Sequence, residues 1–276
     1  MLEPLDLYAQ MRAWGSTLVA ITDHDTVAGV RELLQAGLGA RHDDGPRLLV
    51  GVEINTRVDD AIAAVGGDAD DIGELHILGF GVDITDVAFE RTLERQRDGR
   101  RLRIERTLAK LAELGLQVRD DLPEVPGGID AMGRPHVARA LVAGGHAVSI
   151  NDAFRLFLEP GAPGYEQREG IGPRLAIETI TAAGGIASLA HAPWAPQAPA
   201  VIDQLRAWGL GALEVYYQRF DDDTVERMAA FAATRGLLPT GGSDYHGDGL
   251  DYATAQATTH VPDSVGQGLL AALGLA

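Results

Sequence analysis

The stretch that most constrains the fold is an apolar run followed at once by acidic residues around a histidine. Residues 16–21 are mostly apolar or β-branched and predict a buried strand. Apolar residues then recur at helical spacing over 27–34, so a helix should follow, with Asp25 or Thr26 as its N-cap. His24 therefore lies on a turn between a strand and a helix, which is the edge where α/β folds build their sites. A helix cap beside an unrelated histidine explains this stretch equally well, so further observations must decide.

Length and composition limit the classes of protein that this chain can represent. Its 276 residues suffice for one large α/β domain or for a domain with an insertion. It lacks any apolar run of about 18 residues, so we expect no membrane span. Cysteine is absent, which removes thiolate ligands and is typical of a cytoplasmic enzyme, so a metal would need nitrogen and oxygen ligands. The net charge of −17 makes a stable complex with duplex nucleic acid unexpected.

Strand and helix patterns alternate at both ends of the chain, and a helical stretch separates the two ends. Leucine residues recur at helical spacing from about residue 86 to residue 161. We therefore expect residues 1–85 and 162–276 to form one barrel domain, with residues 86–161 as a helical insertion that covers the site. The predicted strands, besides the first, are 48–54, 74–80, 186–190, 212–217 and 237–240.

Basic residues are concentrated at the start of the helical stretch. Eight of the 23 basic residues lie between Arg91 and Lys110, against three acidic residues in the same interval. Two interpretations stay open at this point. The residues form a solvated helix face, or they form a basic wall that faces an anionic substrate.

Side chains with metal-binding chemistry recur near the ends of the predicted strands. Glu53 lies inside a buried run, where a charge is costly unless it is paired or binds a metal. One such residue alone would be explained as a buried histidine or a loop cap, but six at one edge of a sheet favour a site. Imidazoles with carboxylates suit zinc, manganese or iron. The candidate metal ligands are His24, Glu53, His76, His191, Asp244 and His246.

Six segments of the sequence resemble the PHP family, whose name stands for polymerase and histidinol phosphatase. Their order and spacing match the family over nearly the whole chain. Within the family they are most similar to the stand-alone metal-dependent phosphoesterases that act on nucleotides or short RNA. The segments are 21–26 (ITDHDT), 51–53 (GVE), 75–79 (LHILG), 133–136 (GRPH), 190–191 (AH) and 242–247 (GSDYHG).

The resemblance implies a fold, a reaction and a set of site residues. The fold would be α/β, a distorted TIM-like barrel of seven βα units with a helical insertion. The site would bind up to three divalent ions, of manganese, zinc or iron. The reaction would be hydrolysis of a phosphate monoester by metal-bound hydroxide, on a phosphorylated small molecule such as a nucleotide 3',5'-bisphosphate or on the 5' end of a short RNA. The metal ligands would be the six residues named above, and the substrate phosphate would be held by Arg134 and His136.

The sequence departs from the family pattern at its start. The family opens with a His-x-His strand and an aspartate in a Ser-Asp-Gly turn, and neither occurs here. A start codon assigned too far downstream, or a truncation, would explain the difference. The family pattern gives one metal to Glu53, His76 and His191, whereas the other two positions lose ligands.

We therefore expect a phosphoesterase that is impaired in this form and binds one metal well. His42 is the first candidate for a replacement ligand. The alternative is a catalytically inactive PHP module that binds a nucleotide or a protein partner.

Overall fold

The computed structural model describes residues 2–39, 45–66, 74–125, 128–167, 169–246 and 252–276. His42 and Gly247, the last residue of the 242–247 motif, lie outside these ranges. Among the helices in these ranges, none is both long and apolar enough to cross a membrane. In chain order the elements are α1 (Pro4–Trp14), β1 (Leu18–Ile21), α2 (Ala28–Gln35), β2 (Arg47–Arg57), α3 (Asp60–Ala63), β3 (Glu74–Phe80), α4 (Val87–Glu113), α5 (Arg134–Ala143), α6 (Ile150–Ala153), α7 (Pro173–Ala182), β4 (Ile186–Leu189), α8 (Pro199–Ala207), β5 (Ala212–Tyr217), α9 (Asp222–Thr234), β6 (Leu238–Gly242), α10 (Tyr252–Ala257) and α11 (Asp263–Ala272).

The chain divides into two compact units. The first unit contains residues 1–93 and 171–276, and the second contains residues 94–170. Helix α4 begins in the first unit and ends in the second. Each unit has its own apolar core.

The first unit contains one sheet whose six strands follow chain order from β1 to β6. The β1–β2, β4–β5 and β5–β6 pairs are parallel, whereas β3 is antiparallel to both β2 and β4. Because β3 pairs with β4, strands from both ends of the chain belong to the same sheet. The sheet is a curled half-barrel, which is the arrangement of a distorted TIM-like barrel.

Strand β2 extends three residues beyond the predicted end of its apolar run. The additional residues are polar, but the structure supplies their hydrogen bonds. The hydroxyl of Thr56 donates to the Leu75 carbonyl oxygen at 2.7 Å, and the amide N–H of Asn55 donates to Asp25 Oδ1 at 3.1 Å. Buried polar groups are tolerated when they are paired, so the strand continues through these positions.

The core of the first unit lies between the sheet and the helices packed on it. Close packing depends on Gly79 of β3, because a Cβ atom there would meet Val52 Cγ1 at 2.9 Å and Ile180 Cγ1 at 3.0 Å. Helix α7 can therefore lie close to the strands and hold their order. The largest fully buried side chains of this core include Leu33, Ile54, Ile77, Leu93 and Ile177.

The second unit shows what several of the clustered basic residues contact. Arg103 is buried, and its Nε donates to the carbonyl oxygen of Glu166 at 3.0 Å. Lys110 Nζ lies 2.7 Å from Glu166 Oε2, and Arg106 pairs with Glu169. These three cations hold Glu166 and Glu169 against α4, so neither a purely solvated face nor an open basic wall describes them.

Candidate metal centre

The carboxylate of Glu53 is the hub of the candidate site. Glu53 is 4% exposed, and its Oε1 lies 2.7 Å from His76 Nδ1 and 3.5 Å from His191 Nε2. Its Oε2 lies 3.6 Å from His24 Nδ1. Burial alone would raise the pKa of Glu53, but the charge of His24 and hydrogen bonds from His191 and His76 outweigh it and hold the pKa well below its usual value. Glu53 is therefore ionised at neutral pH, as a metal ligand must be.

We call Glu53, His76 and His191 the glutamate–histidine cluster. His76 Nδ1 and His191 Nε2 lie 3.0 Å apart. The three ligand atoms lie within 4.8 Å of one another, and no other three candidate ligands in the described ranges come so close. Ligand atoms bonded to a tetrahedral zinc ion at 2.0–2.1 Å are separated by about 3.3 Å. The observed separations of 2.7–3.5 Å therefore fit a divalent ion with little rearrangement.

Both histidines of the cluster have raised pKa values. Burial alone would lower the pKa of His76, but its hydrogen bonds to Glu53 and Glu74 raise the pKa to about 9. Burial would also lower the pKa of His191, but its hydrogen bond to Glu53 outweighs the effect of burial. The pKa of His191 is therefore raised as well. A proton bound to His76 offsets the charge of the buried carboxylate, and a divalent ion bound to the same nitrogen atom would replace it.

His76 reaches the site because β3 is antiparallel to both β2 and β4. His76 is the third residue of β3, whereas His24 and His191 follow the C-terminal ends of β1 and β4. The antiparallel register places His76 opposite Asn55, two residues beyond Glu53. The sequence prediction gave all the ligands equivalent places at strand ends, and this is wrong for His76, which lies at the start of its strand.

We call His24 and His246 the histidine pair. Their Nε2 atoms lie 3.2 Å apart. His246 Nδ1 lies 2.7 Å from the carbonyl oxygen of Asp244 and 3.3 Å from its carboxylate, and Asp244 Oδ2 accepts a hydrogen bond from the Tyr217 hydroxyl at 3.1 Å. Burial raises the pKa of Asp244. The structure thus brings all six predicted ligands together, since His24 also contacts Glu53.

Backbone strain is concentrated at the same place. Three non-glycine residues in the described part of the chain have positive φ angles: Asp25 (57°), His191 (32°) and Asp244 (47°). This conformation costs an L-residue about 1–2 kcal/mol, so surrounding contacts must hold it. Asp25 is fully buried against Asn55, so it does not cap α2 as one prediction had it. Thr26 is not the N-cap either: Val27 holds that position without a side-chain cap, although Thr26 Oγ1 accepts a hydrogen bond from the Ala28 N–H at 3.2 Å.

Sequence reasoning missed two residues of the site, Glu214 and Tyr217. Glu214 is buried on β5, and its Oε2 accepts a hydrogen bond from the His191 N–H at 2.7 Å. Burial raises the pKa of Glu214 to about 8, and burial also raises the pKa of the Tyr217 hydroxyl. A charged residue inside the apolar run of β5 was the available clue to Glu214, because the same pattern identified Glu53.

The two predicted phosphate ligands lie at the start of α5, in the second unit. The helix begins at Arg134, so Pro135 is its second residue. His136 Nδ1 accepts a hydrogen bond from the Gly133 N–H at 3.0 Å, which leaves Nε2 as the nitrogen that carries a hydrogen. The approach of Arg134 and His136 to a substrate phosphate stays a prediction.

Comparison with known proteins shows what this chain is similar to. No family model matches the sequence. It is 29% identical over 253 residues to a 3',5'-nucleoside bisphosphate phosphatase of Chromobacterium violaceum, covering 90% of this chain and 83% of the relative. It is 30% identical over 258 residues to a 5'-3' exoribonuclease of Haemophilus influenzae, covering 89% of this chain and 85% of the relative.

The fold comparison agrees with the sequence comparison. A crystal structure from Bifidobacterium adolescentis, provisionally assigned as a metal-dependent phosphoesterase, superposes with a TM-score of 0.74 at 28% identity. The match covers 98% of this chain and 91% of the other. Relatives of this similarity over most of both lengths, together with the shared fold and the cluster of metal-binding side chains, show that the chain is a hydrolase and belongs to the PHP-type phosphoesterases.

Proposed function

We propose that this chain hydrolyses a phosphate monoester of a nucleotide 3',5'-bisphosphate, with the 5' end of a short RNA as a second class of substrate. The observation that carries the proposal is the glutamate–histidine cluster, whose ligand atoms are already spaced for a divalent ion. The nucleotide phosphatase among the relatives supports the first class of substrate, and the exoribonuclease supports the second.

The chemistry of the reaction explains why a metal is needed. Phosphate monoester hydrolysis is among the slowest uncatalysed reactions in biology. A bound divalent ion would lower the pKa of its coordinated water toward about 7 and would neutralise charge on the phosphoryl oxygens. The ionised carboxylate of Glu53 and the two imidazoles of the cluster would hold this ion. The histidine pair and Asp244 would extend the set of ligands toward a second and a third ion, and manganese, zinc and iron all suit such ligands.

We further propose that Arg134 and His136 bind the phosphate of the substrate. A guanidinium group grips a phosphate through two parallel hydrogen bonds, and it supplies positive charge in a chain whose net charge is −17. His136 carries its hydrogen on Nε2, so it can donate to a phosphate oxygen without being charged. Both residues lie in the first turn of the ten-residue helix α5, and helix N-termini favour anions.

Phosphate release from defined substrates tests this proposal. The purified chain, loaded with manganese or zinc, should release phosphate from a nucleoside 3',5'-bisphosphate and nucleoside 5'-monophosphates from a 5'-phosphorylated oligoribonucleotide. Arg134→Ala should lower kcat/KM about tenfold or more, as expected for loss of a charge-assisted phosphate contact. Its metal content should not change.

A matched variant and one further outcome complete the test. Arg155→Ala, which removes an exposed arginine of the same unit, should leave kcat/KM near the wild-type value. If no metal supports phosphate release but the bisphosphate still binds, the protein is a binding module and the catalytic proposal is wrong.

A further inference from the structure

A cleft of about 440 Å³ opens beside the glutamate–histidine cluster in the first unit. It is lined by His191 and Pro193, which follow β4, by Tyr217 and the turn that follows β5, and by Thr224 of α9. A volume of this size is within the usual range for small-molecule sites, which is about 300–1,000 Å³. Because His191 belongs to both the cleft and the cluster, a ligand in the cleft would adjoin the metal-binding side chains.

The floor of the cleft is aromatic and well supported. The rings of Tyr217 and Phe220 meet edge to face, with centroids 5.0 Å apart. The Phe220 N–H donates to the Tyr217 carbonyl oxygen at 2.9 Å, and the Tyr217 hydroxyl donates to Asp244. Tyr217 in turn contacts His191, with ring centroids 5.8 Å apart. A continuous series of rings therefore leads from the cluster into the cleft, and both ends of Tyr217 are held.

The rim of the cleft carries charges of both signs, but the acidic ones dominate. Arg219 is exposed, and Asp221 follows it two residues later. Asp221 Oδ1 already accepts the N–H of Thr224, and the first turn of α9 adds two more aspartates. A second phosphate would be repelled by these carboxylates. A neutral heteroaromatic ring would instead stack on the aromatic floor, donate its amino hydrogens to Asp221 and accept from Arg219.

We propose that this cleft is a nucleobase subsite, in which the base of a nucleotide substrate stacks on the ring of Phe220 and meets the ring of Tyr217 edge to face, beside His191. The inference rests on the proposed function, because a base bound here would place its own phosphorylated ribose next to the cluster. The subsite makes the enzyme selective for nucleotides over phosphorylated sugars that lack a base. The cleft reads the aromatic face of the base, so different bases are accepted.

Phe220→Ala tests the subsite without touching a candidate metal ligand. The measured quantity is the ratio of kcat/KM for a nucleoside 3',5'-bisphosphate to kcat/KM for ribose 5-phosphate, which has no base. Loss of one stacking ring should lower this ratio about tenfold. Phe231→Ala removes a phenylalanine of α9 that does not line the cleft, and it should leave the ratio at the wild-type value. An unchanged ratio in Phe220→Ala would overturn the inference.

A binding measurement separates this inference from the proposed function. Adenosine has a base but no phosphate, so its binding does not depend on hydrolysis. By ligand-observed NMR it should bind the wild-type chain and lose about tenfold in affinity in Phe220→Ala. If the chain releases phosphate but adenosine does not bind at millimolar concentration, the subsite is refuted and the phosphoesterase stands. If adenosine binds as expected but no phosphate is released, the subsite stands and the proposed reaction fails.

Discussion

The glutamate–histidine cluster and the histidine pair use similar side chains but differ in burial and in backbone support. Glu53 and His76 lie within two directly paired strands, and the carboxylate of Glu53 is almost completely buried. His24 and His246 lie on turns that follow β1 and β6, and the His246 side chain is 41% exposed. Ligands that are held in place before binding lose less freedom when a metal arrives. We therefore expect the cluster, two of whose three ligands lie on paired strands, to bind a metal more tightly than the histidine pair, whose members both lie on turns.

The largest effect should come from Glu53→Gln, because the carboxylate is the hub that joins the cluster to the histidine pair. Loss of even an outer partner of a metal ligand costs about 10- to 100-fold in metal affinity or activity. Because Glu53 is itself the charged candidate ligand, phosphate release should fall about 100-fold or more. Elemental analysis should show loss of bound metal.

Glu178→Gln is the matched control for this change. Glu178 pairs with Arg174 on α7 and its side chain is 46% exposed, so its loss should change activity by no more than about threefold, as for an exposed pair. Equal losses in the two variants would mean that Glu53 has no special role and would remove the basis for the comparison.

Exchange of one histidine in each region compares the two directly. His76→Gln should abolish the tightly bound metal, because the variant lacks a ligand of the cluster. His246→Gln should keep that metal and lose only metal that is bound more weakly, since His246 belongs to the histidine pair and not to the cluster. Titration with manganese or zinc measures the weaker binding, and elemental analysis after dialysis counts the tightly bound metal. If His246→Gln loses the tight metal and His76→Gln keeps it, then the ranking of the two regions is wrong.

A smaller effect should follow from Glu214, which supports the cluster through the backbone. Its carboxyl group accepts the His191 N–H and helps to hold the positive φ of that residue. Glu214→Ala should weaken metal binding by about 10- to 100-fold, which is typical when the support of a ligand is removed. Glu214→Gln keeps a carbonyl acceptor and should restore most of the affinity. Equal losses in both variants would show that charge, rather than the hydrogen bond, matters.

The smallest effect concerns pH and depends on His76. Its pKa of about 9 in the folded protein exceeds the ordinary value of 6.5, so the protonated imidazole stabilises the metal-free fold. This contribution is complete below pH 6.5 and is lost as the pH rises through about 9. A metal needs the deprotonated imidazole, so the increase in Tm caused by metal should grow between these pH values.

Thermal unfolding with and without metal at several pH values measures this effect. His246→Gln should keep the pH dependence of the metal-induced increase in Tm, and His76→Asn should reduce it. A trend that persists in full without His76 would assign it to another group, such as His191, whose pKa is also raised.

Local sequence patterns were sufficient to predict the six strands and the gathering of the six candidate ligands. They were not sufficient for the direction of β3, because a strand pattern is the same in either direction and the pairing is decided by distant residues. Similarly, the positive φ of Asp25 depends on Asn55, which is 30 residues away, so a cap was the natural local prediction. Glu214 could have been found by the argument applied to Glu53, but its role depends on a backbone N–H of another strand connection.

The spacing of the ligands along the chain has a consequence for the order of events during synthesis. His76 and His191 are separated by 115 residues, and His24 and His246 by 222 residues. The second unit, with its own apolar core, leaves the ribosome before His191 does. Neither region can capture an ion until most of the chain is made, and the ion then closes long loops, whose entropic cost grows only slowly with length. A metal centre built on these side chains would therefore form only after the second unit has been synthesised.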